Sequence, residues 1–374
     1  MSQEDSGGIE VVDPTNNPEN PNDKDGFERN LFDLNEWQED ETAINLIQRR
    51  VDKIPDLSRF TQLEYLSLRQ NLLVQINANL APLTALTELE ISDNQLEVIE
   101  GLETLVNLQT LDLGYNRIRK IEGIDKLVLL ERLYLVHNKI SKIEGIDSLS
   151  KLKFLELGDN KIKQIENINH LTDLEALYLG KNKIKKIENI DNLKKLRVLS
   201  LPANRLVQLE NLEPFVNLEE LHVSDQGLTS LDGVSQLKKL TIIDASSNEI
   251  VSIDPVIGLD DLEDLWLNDN KIESWKEVEK LAKLPALRTI YLERCPIQRK
   301  EGDQYRRKMI LHLPQLNDNK IESWKEVEKL AKLPALRTIY LERCPIQRKE
   351  GDQYRRKMIL HLPQVTQIDA IMCR

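Results

Sequence analysis

Residues 108–195 read LQTLDLGYNRIRKIEGIDKLVL, LERLYLVHNKISKIEGIDSLSK, LKFLELGDNKIKQIENINHLTD and LEALYLGKNKIKKIENIDNLKK, four versions of one 22-residue sentence. The shared frame is L-x-x-L-x-L-x-x-N-x-I-x-x-I-E. Its L-x-L core has period two, so Leu111 and Leu113 point one way and Asp112 the other, which predicts one short strand per repeat. Asn116 follows, where the chain must turn inward. Its amide carries two donors and an acceptor on a short arm, enough to satisfy backbone groups that the turn would otherwise bury unpaired. No unit of this size can bury its leucine face alone, so the repeats must stack.

Working outward, the asparagine slot is filled by Asn71, Asn94, Asn116, Asn138, Asn160, Asn182, Asn204, Asn248 and Asn270, with Gln226 on one rung and Arg49 on an earlier one. The spacing is 22 throughout, except for 23 between Asn71 and Asn94. A period in the range of about 20–29 with this frame is a leucine-rich repeat. The expected fold is therefore an α/β leucine-rich-repeat solenoid, a horseshoe with a concave parallel β-sheet. Return segments such as Ile118–Ile124 are too short for a long helix and predict short helical turns on the convex side.

The ends depart from the frame. Residues 1–40 are rich in Asp, Glu, Asn, Pro and Gly, a composition that predicts a disordered acidic tail. Residues 41–62 fit loosely, with Ile44 and Leu46 at strand positions and Val51 and Ile54 in the return, as expected of an N-terminal capping repeat. Repeats fill 63–286. Residues 287–315 hold a last repeat, with Cys295 in the asparagine slot, and a cap whose Tyr305–Leu313 segment reads as a helix stopped by Pro314. Residues 316–364 then duplicate 267–315 without a difference, and 365–374 supply a closing strand and tail. The second copy has Pro314 and Gln315 where Leu265 and Trp266 precede the first. Proline lacks the N–H of an interior strand, so a weak join is expected there.

The formal charge is 51 − 63 = −12, which argues against DNA or an anionic membrane as the main partner. Nothing reads as a secretion signal or a long apolar run, so the protein is expected inside the cell. Cys295, Cys344 and Cys373 show no paired spacing and suit a reduced compartment. No nucleophile elbow, H-E-x-x-H or phosphate-binding glycine loop is present, and no cofactor is expected. Ser200, His222 and Asp244 share one outward strand position in consecutive repeats. A triad also needs an oxyanion hole and a pocket, which a smooth sheet column lacks. His222 with Glu220 and Asp244 makes an equally weak metal set. Arg117, Arg119, Lys120, Lys139, Lys142, Lys161, Lys163, Lys183, Lys185 and Lys186 form a basic stripe. Glu122, Glu144, Glu166 and Glu188 follow them, so a charge-paired solvated face is expected and no nucleic-acid binding.

The outward strand column is richer. It reads Ser67, Glu90, Asp112, Tyr134, Glu156, Tyr178, Ser200, His222, Asp244, Trp266 and Tyr291, with Phe154 and Asp264 on the neighbouring column. Aromatics are 5% of the chain, yet four of these eleven are aromatic and four acidic. That mixture points to a surface for a partner with basic character.

The uniform frame with I-E-x-I, the run Leu265-Trp-Leu-Asn-Asp-Asn-Lys-Ile-Glu-Ser-Trp275, the Tyr291-Leu-Glu-Arg frame and the Tyr-Arg-Arg-Lys cap together resemble the leucine-rich-repeat nuclear regulatory subunits of type-1 protein serine/threonine phosphatase. The resemblance covers residues 42–369. It implies a non-enzymatic subunit of nucleus and cytoplasm that holds the phosphatase catalytic subunit on its concave face. The family's contact positions fall on Asp112, Tyr134, Glu156, Tyr178, Asp244, Asp264, Trp266 and Tyr291. Tyr134 and Tyr178 stand where the family pattern has Phe, and Asp264 where it has Glu. The alternative reading is a scaffold of the same fold in RNA processing or cytoskeletal assembly.

Overall fold

The computed structural model describes residues 32–305, then 308–309, 313, 324–330, 338–339, 350, 353–365, 367–368 and 371–372. Twelve three-residue strands form one parallel sheet in chain order. They are β1 (Ala43–Asn45), β2 (Tyr65–Ser67), β3 (Glu88–Glu90), β4 (Thr110–Asp112), β5 (Arg132–Tyr134) and β6 (Phe154–Glu156), followed by β7 (Ala176–Tyr178), β8 (Val198–Ser200), β9 (Glu220–His222), β10 (Ile242–Asp244), β11 (Asp264–Trp266) and β12 (Thr289–Tyr291). The register never slips: Leu111 faces Leu133, Leu133 faces Leu155, and Leu155 faces Leu177. These leucines point into the core and are fully buried, so the residues beside them face out on the concave side.

The asparagine ladder holds the turns. Asn116 Nδ2 donates to the carbonyls of Ile91 (3.0 Å), Leu113 (3.1 Å) and Gly114 (3.1 Å), while Oδ1 accepts the N–H of Leu96 at 3.0 Å. Leaving one such buried group unpaired costs roughly 1–3 kcal/mol. Gln226 keeps one donor bond, to Leu201 O at 2.9 Å, and one acceptor bond, from Leu206 N at 2.8 Å. Cys295 keeps an Sγ contact to Leu267 O at 3.3 Å, and the N–H groups of Asn270 and Ile272 approach its sulfur. The residue before each rung is left-handed whatever its type, as in Tyr115 (φ 54), His137 (φ 53) and Lys181 (φ 51). L-residues resist that conformation by about 1–2 kcal/mol, so the bonds on either side must enforce it.

The convex returns are less helical than the short-turn expectation. Among the described residues, the returns hold 3₁₀ turns at Ala78–Leu80, Asp254–Val256 and Leu281–Lys283 and a helix at Trp275–Lys280. Elsewhere they are isolated turns, such as Leu127 N to Ile124 O and Leu130 N to Leu127 O, both 3.0 Å. The reason is periodicity. Ile118, Ile121, Ile124, Leu127 and Leu130 are all buried, a period of three that a three-fold path satisfies and an α-helix does not. One return position is left-handed and filled by either Gly or Asn. A Cβ on Gly145 (φ +70) would lie 2.2 Å from Ile121 O. Asn167 (φ 58) in the next repeat instead donates to the corresponding carbonyl, Ile143 O, at 2.7 Å.

Both ends differ from expectation. Residues 32–40, read as part of the acidic tail, are built into the fold. Phe32, Leu34 and Trp37 pack on the core, and Arg59 donates to Leu34 O and, at 3.1 Å, to Trp37 O. Three apolar side chains in a polar stretch suffice to cover the first repeat. Residues 1–31 lie outside the described residues.

At the other end, the large sheet closes at β12 among the described residues. The second copy's strand, Thr338–Ile339, instead pairs in parallel with Gln367–Ile368, which pairs antiparallel with Ile371–Met372. Val327, Leu330, Tyr354, Met358, Leu362, Val365 and Ile368 make a separate small core. Both copies nevertheless repeat their local bonds. Trp275 Nε1 donates to Glu301 at 2.8 Å and Trp324 Nε1 to Glu350 at 2.9 Å. The join at 314–323 lies outside the described residues, as do Cys344 and Cys373.

Candidate protein-binding face

The strand register sets the concave column side by side. Asp112 pairs with Tyr134, Tyr134 with Glu156 and Glu156 with Tyr178. Further on, His222 pairs with Asp244, Asp244 with Trp266 and Trp266 with Tyr291. Asp264 lies one column over, opposite Ile242 and Thr289. The eight positions therefore share one surface in two groups. Asp112, Tyr134, Glu156 and Tyr178 occupy β4–β7, and Asp244, Asp264, Trp266 and Tyr291 occupy β10–β12.

Each group is built around aromatic rings in contact. Phe154 sits between Tyr134 (4.7 Å between centroids) and Tyr178 (5.1 Å). In the second group Trp266 lies 6.2 Å from Tyr291, edge to face, and 6.4 Å from His222. Such contacts fix large apolar surfaces in place before any partner arrives. Tyr291 stays 38% exposed. Phe154 and His222 complete the two clusters although they are not among the eight positions. Phe154 and His222 were both legible from their outward columns, but His222 was weighed for chemistry only as a possible base or metal ligand.

The acids of this face are not neutralised. Asp112 accepts the N–H of Gly114 at 2.9 Å and Asp244 that of Ser246 at 3.1 Å. Among the described residues neither they nor Glu156 and Asp264 form an ion pair. Burial, and then the charge of Asp112, push the Glu156 carboxyl above its usual range. Burial first, then nearby carboxylates, likewise raise the phenols of Tyr134 and Tyr178. The rims behave oppositely. Lys153 meets Glu131 at 2.8 Å, Arg197 meets Glu219 at 2.6 Å and Arg288 meets Glu263 at 2.7 Å.

The other candidates disperse. Ser200, His222 and Asp244 do lie in register, but His222 Nε2 faces Glu220 Oε2 at 3.3 Å, away from the arrangement a triad needs. No group of three or more metal-ligating side chains is gathered among the described residues. Within the basic stripe, Lys120 pairs with Glu122 at 3.1 Å and Lys142 with Glu144 at 3.8 Å. Lys161, Lys163, Lys183, Lys185 and Lys186 lack such pairs among the described residues, so the expected charge-paired face holds only for its first part. No described helix is long and apolar enough to cross a membrane.

Two family profiles match the repeats, "Leucine Rich repeats (2 copies)" at residues 84–126 and 129–170 and "Leucine-rich repeat" at 217–318. The chain is a leucine-rich-repeat protein. Solved structures agree on the fold. An internalin (inlF) of Listeria monocytogenes is 24% identical with a TM-score of 0.64, covering 89% of this chain and 87% of its own. A leucine-rich-repeat protein of Leptospira interrogans is 23% identical with a TM-score of 0.65, covering 87% and 94%. Among curated proteins, the Protein phosphatase 1 regulatory subunit SDS22 homolog of Caenorhabditis elegans is 49% identical over 103 residues, 28% of this chain and 31% of that relative. The aligned part of this leucine-rich-repeat protein thus spans about a third of that relative's length. The match supports the resemblance carried by the repeat frame and the tryptophan segment.

Proposed function

We propose that this protein is a regulatory subunit of a type-1 protein serine/threonine phosphatase and holds the catalytic subunit on its concave face. The observation that carries the reading is the concave column itself, two preformed aromatic clusters among carboxylates that form no ion pair among the described residues. The kinship with a phosphatase regulatory subunit supplies the partner's class. Size fits as well. Twelve strands at about 4.8 Å span about 53 Å, and a catalytic domain of about 300 residues has a radius of gyration near 19 Å and a diameter of about 50 Å. Trp266 and Tyr291 act as anchors, because large rigid aromatics bury much area at little entropic cost. Asp112, Glu156, Asp244 and Asp264 meet Lys or Arg on the partner and set orientation and on-rate. The complex works in nucleus and cytoplasm, which fractionation checks. The test is calorimetric titration of the purified chain against the phosphatase catalytic subunit. A one-to-one complex of micromolar affinity or tighter is expected, and no heat at these concentrations overturns the reading.

A further inference from the structure

The unpaired lysines form a second charged surface, separate from the concave face. Lys161, Lys163, Lys183, Lys185 and Lys186 follow the asparagine rungs of two consecutive repeats. The backbone sets the two repeats together, with Lys161 N donating to Ile140 O and Lys183 N to Ile162 O, both 2.8 Å. Lys161, Lys163, Lys185 and Lys186 are exposed and Lys183 is partly so. The same returns hold Glu166, Asp173, Glu188 and Asp191; Asp173 is taken by Lys195, and among the described residues none of the four forms an ion pair with these five lysines. Other basic side chains nearby are engaged, Lys153 with Glu131, Lys195 with Asp173 and Arg197 with Glu219, whereas Arg117 and Lys139 of the same stripe also lack an ion pair among the described residues. Stacked lysines without counter-charges repel one another, and an acidic segment laid along them relieves that repulsion.

The chain carries such a segment. Residues 1–31 contain eight Asp or Glu (Glu4, Asp5, Glu10, Asp13, Glu19, Asp23, Asp25 and Glu28) against Lys24 and Arg29. The segment joins the solenoid at Phe32, which packs on the core beside the first repeat. From β1 to β7 is six strand spacings, about 29 Å. Thirty residues can extend to about 100 Å, so reach is no obstacle. The concave face repels the segment, since its own acids lack partners.

We propose that the acidic segment 1–31 docks in cis on the lysine flank of residues 161–186 and covers it. Tethering gives the segment an effective concentration of about millimolar, so individually weak pairs suffice. Nucleic acid is the less favoured occupant. No Phe, Tyr or Trp lies among these lysines, and the exposed Tyr115–His137 stack of the two preceding repeats is closed by its own ring contact and by Asp159 at 2.7 Å from His137.

The test is zero-length carbodiimide cross-linking of the full chain, read by mass spectrometry. Cross-links from the acids of residues 4–28 should concentrate on the five lysines. They should fall about five-fold or more in about 0.5 M salt, and as far in Lys163→Glu/Lys183→Glu/Lys185→Glu with its melting temperature unchanged. Cross-links spread evenly over distant lysines such as Lys126 and Lys238, or none from the segment, overturn the proposal. A labelled single-stranded RNA supplies the other arm. Docking predicts that RNA binds weakly to the full chain and about ten-fold or more tighter once residues 1–31 are removed. Equal affinity for both, lost on reversing the lysines, shows an open nucleic-acid surface and overturns the proposal.

Discussion

The centre and the rims of the concave sheet are made from the same strands, yet they treat charge in opposite ways. On one rim Glu131, Lys153, Arg197, Glu219, Glu263 and Arg288 pair across neighbouring repeats. The hydrogen bond from Arg197 holds the Glu219 carboxyl below its usual range. On the concave column, three residues along the strand from Lys153, Glu156 is pushed above its usual range by burial and by Asp112. That column could have carried the same alternation of signs. Its absence at the centre is a cost to the isolated fold, which the proposed cationic partner would offset. The comparison separates charges that this solenoid pairs by itself from charges that, under the proposed function, another molecule would pair.

The largest blow to the comparison is removal of an anchor. Trp266→Ala should cost at least about 2 kcal/mol of phosphatase binding, a loss of about 30-fold, measured by titration with the fold checked by circular dichroism. Unchanged affinity would remove the concave face from the account. Next comes charge at the centre. Asp112→Ala should weaken binding by about three- to ten-fold, chiefly through an on-rate whose salt dependence flattens, as stopped-flow mixing would show.

Smaller effects separate the two regions by sign. Glu156 binds its proton more tightly when folded, so its contribution is fully present at low pH and is lost as pH rises through its raised folded value. Near neutral pH, Glu156→Gln should therefore melt about one to two degrees above wild type, with the gap closing as pH falls into the ordinary carboxylate range. Glu219 is the mirror case. Its stabilisation is present above the ordinary carboxylate range and lost as pH falls through its lowered folded value. Glu219→Gln should melt below wild type near neutral pH by about a degree or less, since the pair is exposed. Two shifts of the same sign would erase the distinction. The smallest effect belongs to the duplicate. Deleting 316–364 joins Gln315 to Val365, leaves every concave residue in place, and should change affinity by less than about two-fold. A ten-fold loss would mean that the second copy belongs to the binding face.

Much of this was legible in the residues because each signal sits in a slot of its own. Period two placed Asp112 and Tyr134 outward, and the 22-residue spacing aligned them. The rest escaped for physical reasons. Left-handed backbone at Gln70, Tyr115 and Lys181 has no common side chain, since the rungs impose it from outside. The returns looked like helical turns until their period of three was set against the core. Phe32, Leu34 and Trp37 were hidden by polar neighbours. The two 49-residue copies are the sharpest case. Identical residues reproduce the Trp275–Glu301 bond as Trp324–Glu350, because those contacts lie within the block. Which sheet each copy's strand joins depends on what stands beside it, and no local residue records that. Among the site residues, the ring contact of Trp266 with His222 depends on side-chain reach across two strands, which spacing alone does not measure.

The sheet's strict neighbour-to-neighbour order also makes it a spring. Twelve strands meet at eleven junctions in series, and each repeat touches only the next. An opening of about one degree at every junction would turn one end against the other by about eleven degrees, with no single ladder noticeably strained. Compliance divided so thinly lets the curve widen to admit a body and tighten around it afterwards. The grip would then come from the whole arc, and its stiffness would scale inversely with the number of repeats between the two aromatic clusters.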